Sequence, residues 1–105
     1  MILSSMLALT LAGANPAAEC VPAPKAGHAG AHALAWVINN DAVTFRGKKY
    51  MKYGLPRVLY AGEVELVGPY KGGYFYAEKG VKDYEVLYLL TRLDGCEFQP
   101  YYVPS

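Results

Sequence analysis

Short apolar runs separated by turn residues extend along most of the chain, and this pattern predicts an all-β domain over 33–105. The runs lie at 34–38, 42–45, 49–53, 58–60, 63–70, 74–77 and 84–93. Trp36 stands at the centre of the first predicted strand. Such spacing is typical of a small antiparallel barrel or rolled meander of roughly five to seven short strands.

The individual runs differ in their predicted burial. The longest, 84–93, has no polar side at its centre, which favours a strand covered on both faces, although a helix of that length is the alternative. The segment 63–66 alternates charged and apolar residues, as a half-buried strand does. The loop at 54–57 interrupts the sheet, because Pro56 cannot donate a hydrogen bond to a central ladder.

Three connections predict hairpins. Two of them, Arg46-Gly47-Lys48 and Lys71-Gly72-Gly73, contain glycines that accept a positive φ. Asp94-Gly95 is the strongest turn signal, since a two-residue turn of this kind requires both residues at positive φ. It predicts three cross-strand pairs, Leu93 with Cys96, Arg92 with Glu97 and Thr91 with Phe98, and turns Cys96 inward.

The N-terminal residues 1–14 have the pattern of a secretory signal peptide. An uncharged apolar run at 2–11 precedes the small residues Ala12-Gly13-Ala14, as at a cleavage site. No lysine or arginine precedes the run, and a buried N-terminal helix is the alternative interpretation. After cleavage the chain would begin with an extended Pro/Ala/Gly-rich arm, 15–32, and would contain no transmembrane segment.

Two cysteines agree with export to an oxidising compartment. Cys20 and Cys96 allow one intramolecular disulfide, which would close nearly the whole mature chain. Intermolecular pairing and two free thiols are the alternatives. Export and a disulfide together predict a periplasmic or secreted protein.

Charge and catalytic residues exclude several function classes. Ten basic residues against nine acidic ones leave the chain close to neutral, which argues against nucleic acid as the partner. His28 and His32 have the spacing of a metal clamp on a helix, but the glycines around them disfavour a helix, so no metal site is predicted. No nucleophile remains beside a base, and we therefore expect no cofactor and no enzyme activity.

A basic and aromatic stretch is the best candidate for function. Residues 46–57 hold five positive charges and no acid, and the chain contains 10 tyrosines, which are favoured on binding faces. The candidate binding residues are Tyr50, Lys52, Tyr53, Arg57, Tyr74 and Tyr76. They predict a non-catalytic module that binds a protein or a glycan in the envelope or outside the cell.

Two other functions compete with this hypothesis. An enzyme inhibitor could present the loop at 54–57, where Pro56 stiffens the chain before Arg57. A small hydrolase could use Glu63 and Glu65, which would lie on one strand face and raise each other's pKa.

Overall fold

The computed structural model describes residues 18–105, so the predicted signal peptide at 1–14 lies outside the described residues. The elements are α1 (Ala35–Ile38), β1 (Val43–Phe45), β2 (Lys48–Lys52), β3 (Arg57–Val58), β4 (Val64–Tyr70), β5 (Gly73–Glu78), β6 (Val86–Arg92) and β7 (Glu97–Tyr102), with a 3-10 turn at Ala61–Glu63. The seven strands are antiparallel, and the predicted all-β class is confirmed.

The strands form one sheet that curls into a half-barrel. Their order is β1-β2-β7-β6-β5-β4, and β3 also pairs with β7. The two edge strands approach each other at the β1–β2 hairpin, where Arg46 Nη2 donates to Val67 O at 2.8 Å. The rings of Phe45 and Tyr70 lie 6.1 Å apart at the same place.

Both faces of the sheet carry apolar clusters, and β6 contributes to each of them. Leu87 and Leu89 belong to the first cluster, whereas Tyr88 and Leu90 belong to the second. Alternation along the strand explains this division, because successive side chains point to opposite faces. The prediction of a central strand covered on both faces is confirmed.

Two of the predicted hairpins are confirmed. Val43 pairs with Tyr50 across the first turn, and Tyr70 pairs with Gly73 across the second. Both central residues of each turn have positive φ, in Arg46-Gly47 and in Lys71-Gly72. Two-residue turns of this type match the twist of the strands that they join.

The prediction of a strand at 34–38 is wrong, because residues 35–38 form the short helix α1. Ile38 N donates to Leu34 O at 3.1 Å, and Asn39 N donates to Ala35 O at 2.8 Å. The indole of Trp36 donates to Lys71 O at 3.0 Å. Packing on the first cluster, rather than strand pairing, therefore determines the conformation of this apolar run.

The predicted hairpin at Asp94-Gly95 joins β6 to β7, but its turn differs in detail from the prediction. Only Cys96 near this turn has a positive φ, of 52°, and it is buried as predicted. The pairing of Arg92 with Glu97 is confirmed, but an irregularity at Thr91 makes Leu90, not Thr91, the partner of Phe98. A bulge of this kind inserts one residue into one strand and shifts the register beyond it.

The arm that precedes the sheet is packed against it, which its Pro/Ala/Gly composition did not indicate. Val21 belongs to the second cluster, and Ala31 in the first cluster has no exposed surface. The backbone continues this contact, since Ala31 N donates to Leu90 O and His32 N to Thr91 O. The predicted disulfide between Cys20 and Cys96 is confirmed.

Buried tyrosines predict a loss of stability in alkali. Burial raises the pKa of both Tyr76 and Tyr101 to about 12, from an ordinary value of 10.0. Between these two values the unfolded chain loses phenolic protons that the folded chain keeps. We expect the free energy of unfolding to be constant just below pH 10 and to fall as the pH rises toward 12, as measured by urea denaturation.

Tyr101→Phe is the matched variant for this measurement. The Tyr101 hydroxyl is buried and has no hydrogen-bond partner among the described residues. Its removal should raise stability at neutral pH by about 1 kcal/mol and should make the alkaline loss less steep. An equally steep loss in the variant would contradict the assignment to Tyr101.

Candidate binding groove

Exposed apolar side chains concentrate in one segment of the described chain. Eight large apolar residues are exposed, and four of them, Tyr53, Leu55, Val58 and Tyr60, lie within 53–60. Leu55 is 83% exposed, the highest value of the eight. Two of the four, Tyr53 and Leu55, also line the groove described below, and exposed apolar side chains that lie together on a folded domain are a common mark of an interaction site.

This segment forms a large bulge beside β7. Tyr53 N donates to Pro100 O at 3.0 Å, and Arg57 is the partner of Phe98. Gln99 alone therefore stands opposite the three residues 54–56, so this strand carries two extra residues. The bulge divides β2 from β3 and pushes Leu55 outward.

Gln99 braces the bulge from β7. It is only 6% exposed, and its amide nitrogen lies 3.3 Å from Tyr53 O and 3.0 Å from Gly54 O. Pro100 has no N–H with which to return the hydrogen bond from Tyr53. The side chain of Gln99 supplies the missing donor, so hydrogen bonds from a buried side chain hold the exposed segment.

An open groove of about 670 Å³ lies between this bulge and the end of the second sheet face. Its lining consists of Tyr53, Gly54, Leu55, Arg57, Val86, Tyr88, Pro100 and Tyr102. At the other end, this face is covered by the second cluster, which includes Val21 and Leu59. At the groove end, Val86 is 40% exposed. The groove is thus the uncovered part of an apolar sheet face.

Two tyrosines form one wall of the groove. The rings of Tyr53 and Tyr102 have centroids 4.5 Å apart and are inclined by 52°. Rigid aromatic side chains lose little conformational entropy on binding, which makes such a pair an effective contact surface.

Arg57 is the one charged residue in the lining, and its position is defined. Its Nη1 donates to the Tyr88 hydroxyl at 3.0 Å, and its guanidinium carbon lies 5.4 Å from the centroid of the Tyr88 ring. The Tyr88 hydroxyl in turn donates to Glu78 at 3.3 Å. Burial raises the pKa of Tyr88, so the hydroxyl stays protonated at neutral pH.

The structure brings together two of the six predicted binding residues, Tyr53 and Arg57. Tyr50 is 1% exposed and donates to Tyr84 O, and Tyr76 is 4% exposed within the second cluster. The ammonium group of Lys52 contacts Val37 O.

Tyr74, the remaining predicted binding residue, packs edge-on against His28, with centroids 5.0 Å apart. It therefore lies against the arm rather than in the groove.

The carboxylates proposed for hydrolysis are occupied elsewhere. Glu63 lies in the 3-10 turn rather than on the strand with Glu65, and it accepts a hydrogen bond from Tyr60 N at 2.8 Å. The Lys82 ammonium, 2.6 Å from Glu65, lowers the pKa of that carboxyl. The expected mutual rise in pKa is therefore wrong for Glu65.

Sequence reasoning did not select most of the groove. Leu55 belongs only to the predicted loop at 54–57, and four further residues, Gln99, Val86, Tyr88 and Tyr102, are not among the six predicted binding residues. A glutamine directly before a strand proline was the available signal, because a proline leaves its cross-strand acceptor without a donor.

No protein-family model matches the chain, and no curated protein or solved structure matches it significantly. Within 18–105, no helix has the length and apolar character needed to cross a membrane. The same residues contain no group of three or more histidine, cysteine or acidic side chains placed to hold a metal ion.

Proposed function

We propose that this protein is a non-catalytic binding protein of the periplasm or the extracellular space, and that it holds a protein partner in the groove beside residues 53–60. The disulfide supports the compartment, because such bonds persist in oxidising environments. The concentration of exposed apolar side chains on a braced segment is the observation that carries the proposed binding role.

The composition of the groove favours a protein over a glycan. Leu55 and Val86 offer aliphatic surface, and Arg57 is the single charged group among them. Tyrosine and arginine beside a desolvated apolar centre are typical of protein-binding hot spots. A sugar would instead require several polar groups to match its hydroxyls.

The competing functions have less support. An inhibitor loop must deliver its arginine side chain into a protease pocket, but Arg57 is paired in β3 and lies against Tyr88. A carboxylate hydrolase needs an acid with a raised pKa, whereas the pKa of Glu65 is lowered.

Leu55→Ser should weaken partner binding at least about tenfold, because an apolar anchor at the centre of an interface contributes 1.4 kcal/mol or more. The measurement begins with a photoreactive side chain at position 55 in cells that produce the protein. The captured partner is then purified, and its dissociation constant is measured for the parent protein and for each variant.

Ile38→Ser is the matched control, since Ile38 is 62% exposed but lies on α1, outside the groove. It should leave the dissociation constant unchanged. Equal binding by the Leu55→Ser variant and the parent protein would refute the groove as the binding site.

A further inference from the structure

Arg57 has unused hydrogen-bonding capacity inside an apolar groove. A guanidinium has five N–H donors, and the structure shows one of them on the Tyr88 hydroxyl. No carboxylate of residues 18–105 lies within 4.0 Å of Arg57, although three other cations have such partners. The groove therefore carries an uncompensated positive charge at a defined point.

The charge favours a carboxylate ligand. Arginine binds carboxylates through two parallel hydrogen bonds. Glu78 accepts a hydrogen bond from the Tyr88 hydroxyl and does not line the groove. An incoming acid would thus meet Arg57 without a competing acid in the lining.

The backbone of β3 favours an extended peptide as the carrier of that acid. Leu59 N donates to Cys96 O, and Val58 is the partner of Glu97. Because pairs alternate in an antiparallel ladder, the N–H and C=O of Val58 point away from β7. No strand among the described residues pairs with that outer side of β3.

This open edge is short. The next outward position is closed, because Tyr60 N donates to Glu63 Oε1 at 2.8 Å. One backbone pair is therefore available, at Val58, directly after Arg57, whose side chain lines the groove. A peptide paired there would place one of its residues opposite Arg57. The peptide residues two positions before and after that one would point to the same face as it does.

We propose that the groove binds an extended peptide segment in which an acidic residue and a bulky apolar residue stand two positions apart. The acidic side chain pairs with Arg57, and the apolar side chain contacts Leu55 and the ring of Tyr53. This inference rests on the proposed function and names the chemistry of its partner.

A random-peptide display library selected on the oxidised protein tests this proposal. Enriched peptides should share an acidic and a bulky apolar residue at that spacing. For a synthesised peptide from the enriched set, replacing its acid with the matching amide should raise the dissociation constant about tenfold, and Arg57→Gln should raise it equally. The two changes together should add little further loss, because they remove the same contact.

Two controls separate this contact from general effects. Lys49→Gln removes an exposed cation of the same basic stretch that lies outside the groove, and it should leave binding unchanged. Val58→Pro removes the outward N–H and should weaken binding more than Val58→Ala, which keeps it. Circular dichroism of each variant should show a retained fold.

The outcomes distinguish this inference from the proposed function. If Leu55→Ser abolishes peptide binding but Arg57→Gln does not change it, the groove binds and the carboxylate contact is wrong. If neither variant changes binding, the groove itself is not the site. A library that yields no enriched peptide would overturn the peptide as the partner class.

Discussion

Replacing Cys20 and Cys96 together with alanine should lower the free energy of unfolding by about 4 kcal/mol. The disulfide joins residues 76 positions apart, so its loss greatly increases the freedom of the unfolded chain. A small domain is stable by only about 5–15 kcal/mol, so this loss is a large fraction of the total. Urea denaturation at neutral pH, followed by far-ultraviolet circular dichroism, measures it.

The structure also predicts which part of the fold opens first when the disulfide is absent. The disulfide holds the arm beside the end of β3, where Leu59 N donates to Cys96 O and Ala61 N donates to Glu19 O. Amide exchange at Leu59 and Ala61 should therefore accelerate before exchange in β6. Alanine is preferred to serine at position 96, because Cys96 is only 5% exposed and a serine hydroxyl would be buried there.

The parent protein treated with a reductant is the control for this double variant. Both proteins should show the same loss in free energy of unfolding, since both lack the disulfide and keep the other contacts. A loss below about 1 kcal/mol in either would show that the packed arm, not the disulfide, provides most of the constraint.

Gly30→Ala should destabilise the protein by about 3 kcal/mol. Gly30 has a φ of 118°, and an added Cβ would lie 2.1 Å from Thr91 O and 2.7 Å from Thr91 C. The obstacle is backbone, so it cannot rotate away as a flexible side chain could. The arm must instead move off β6, which breaks the bonds from Ala31 N and His32 N and exposes Ala31.

Gly27→Ala separates this steric effect from backbone strain. Gly27 lies in the same arm with a φ of 82°, but an added Cβ would have no atom within 4 Å. It should destabilise by about 1 kcal/mol, from the positive φ alone. Equal losses of stability for the two variants in urea denaturation would show that the close contact with Thr91 does not contribute to the loss.

Much of the fold was predictable because it depends on local rules. The hairpins at Arg46-Gly47 and Lys71-Gly72 are predicted by residues that accept positive φ. The burial of β6 on both faces was predicted from its continuous apolar centre. These signals act within a few residues, so the sequence is sufficient to read them.

The candidate site was less predictable, because a tyrosine can lie on either the buried or the exposed side of a sheet. Composition does not distinguish the two. Tyr50 and Tyr53 are neighbours in the basic stretch, yet Tyr50 is buried and Tyr53 is 59% exposed. The register of β2 against β7 and the bulge that follows decide this difference. No pattern within residues 46–57 contains that information.

The sequence by itself determined the β class, two hairpins, the central strand and the one available cysteine pair. The tertiary structure alone decided that 35–38 is helical, that the arm packs on β6 and that Tyr53, Leu55 and Arg57 border a groove. The physical reason is the range of the interactions. Turn geometry and side-chain alternation are local, whereas the groove depends on Gln99 and Pro100, more than forty residues from the loop that they hold.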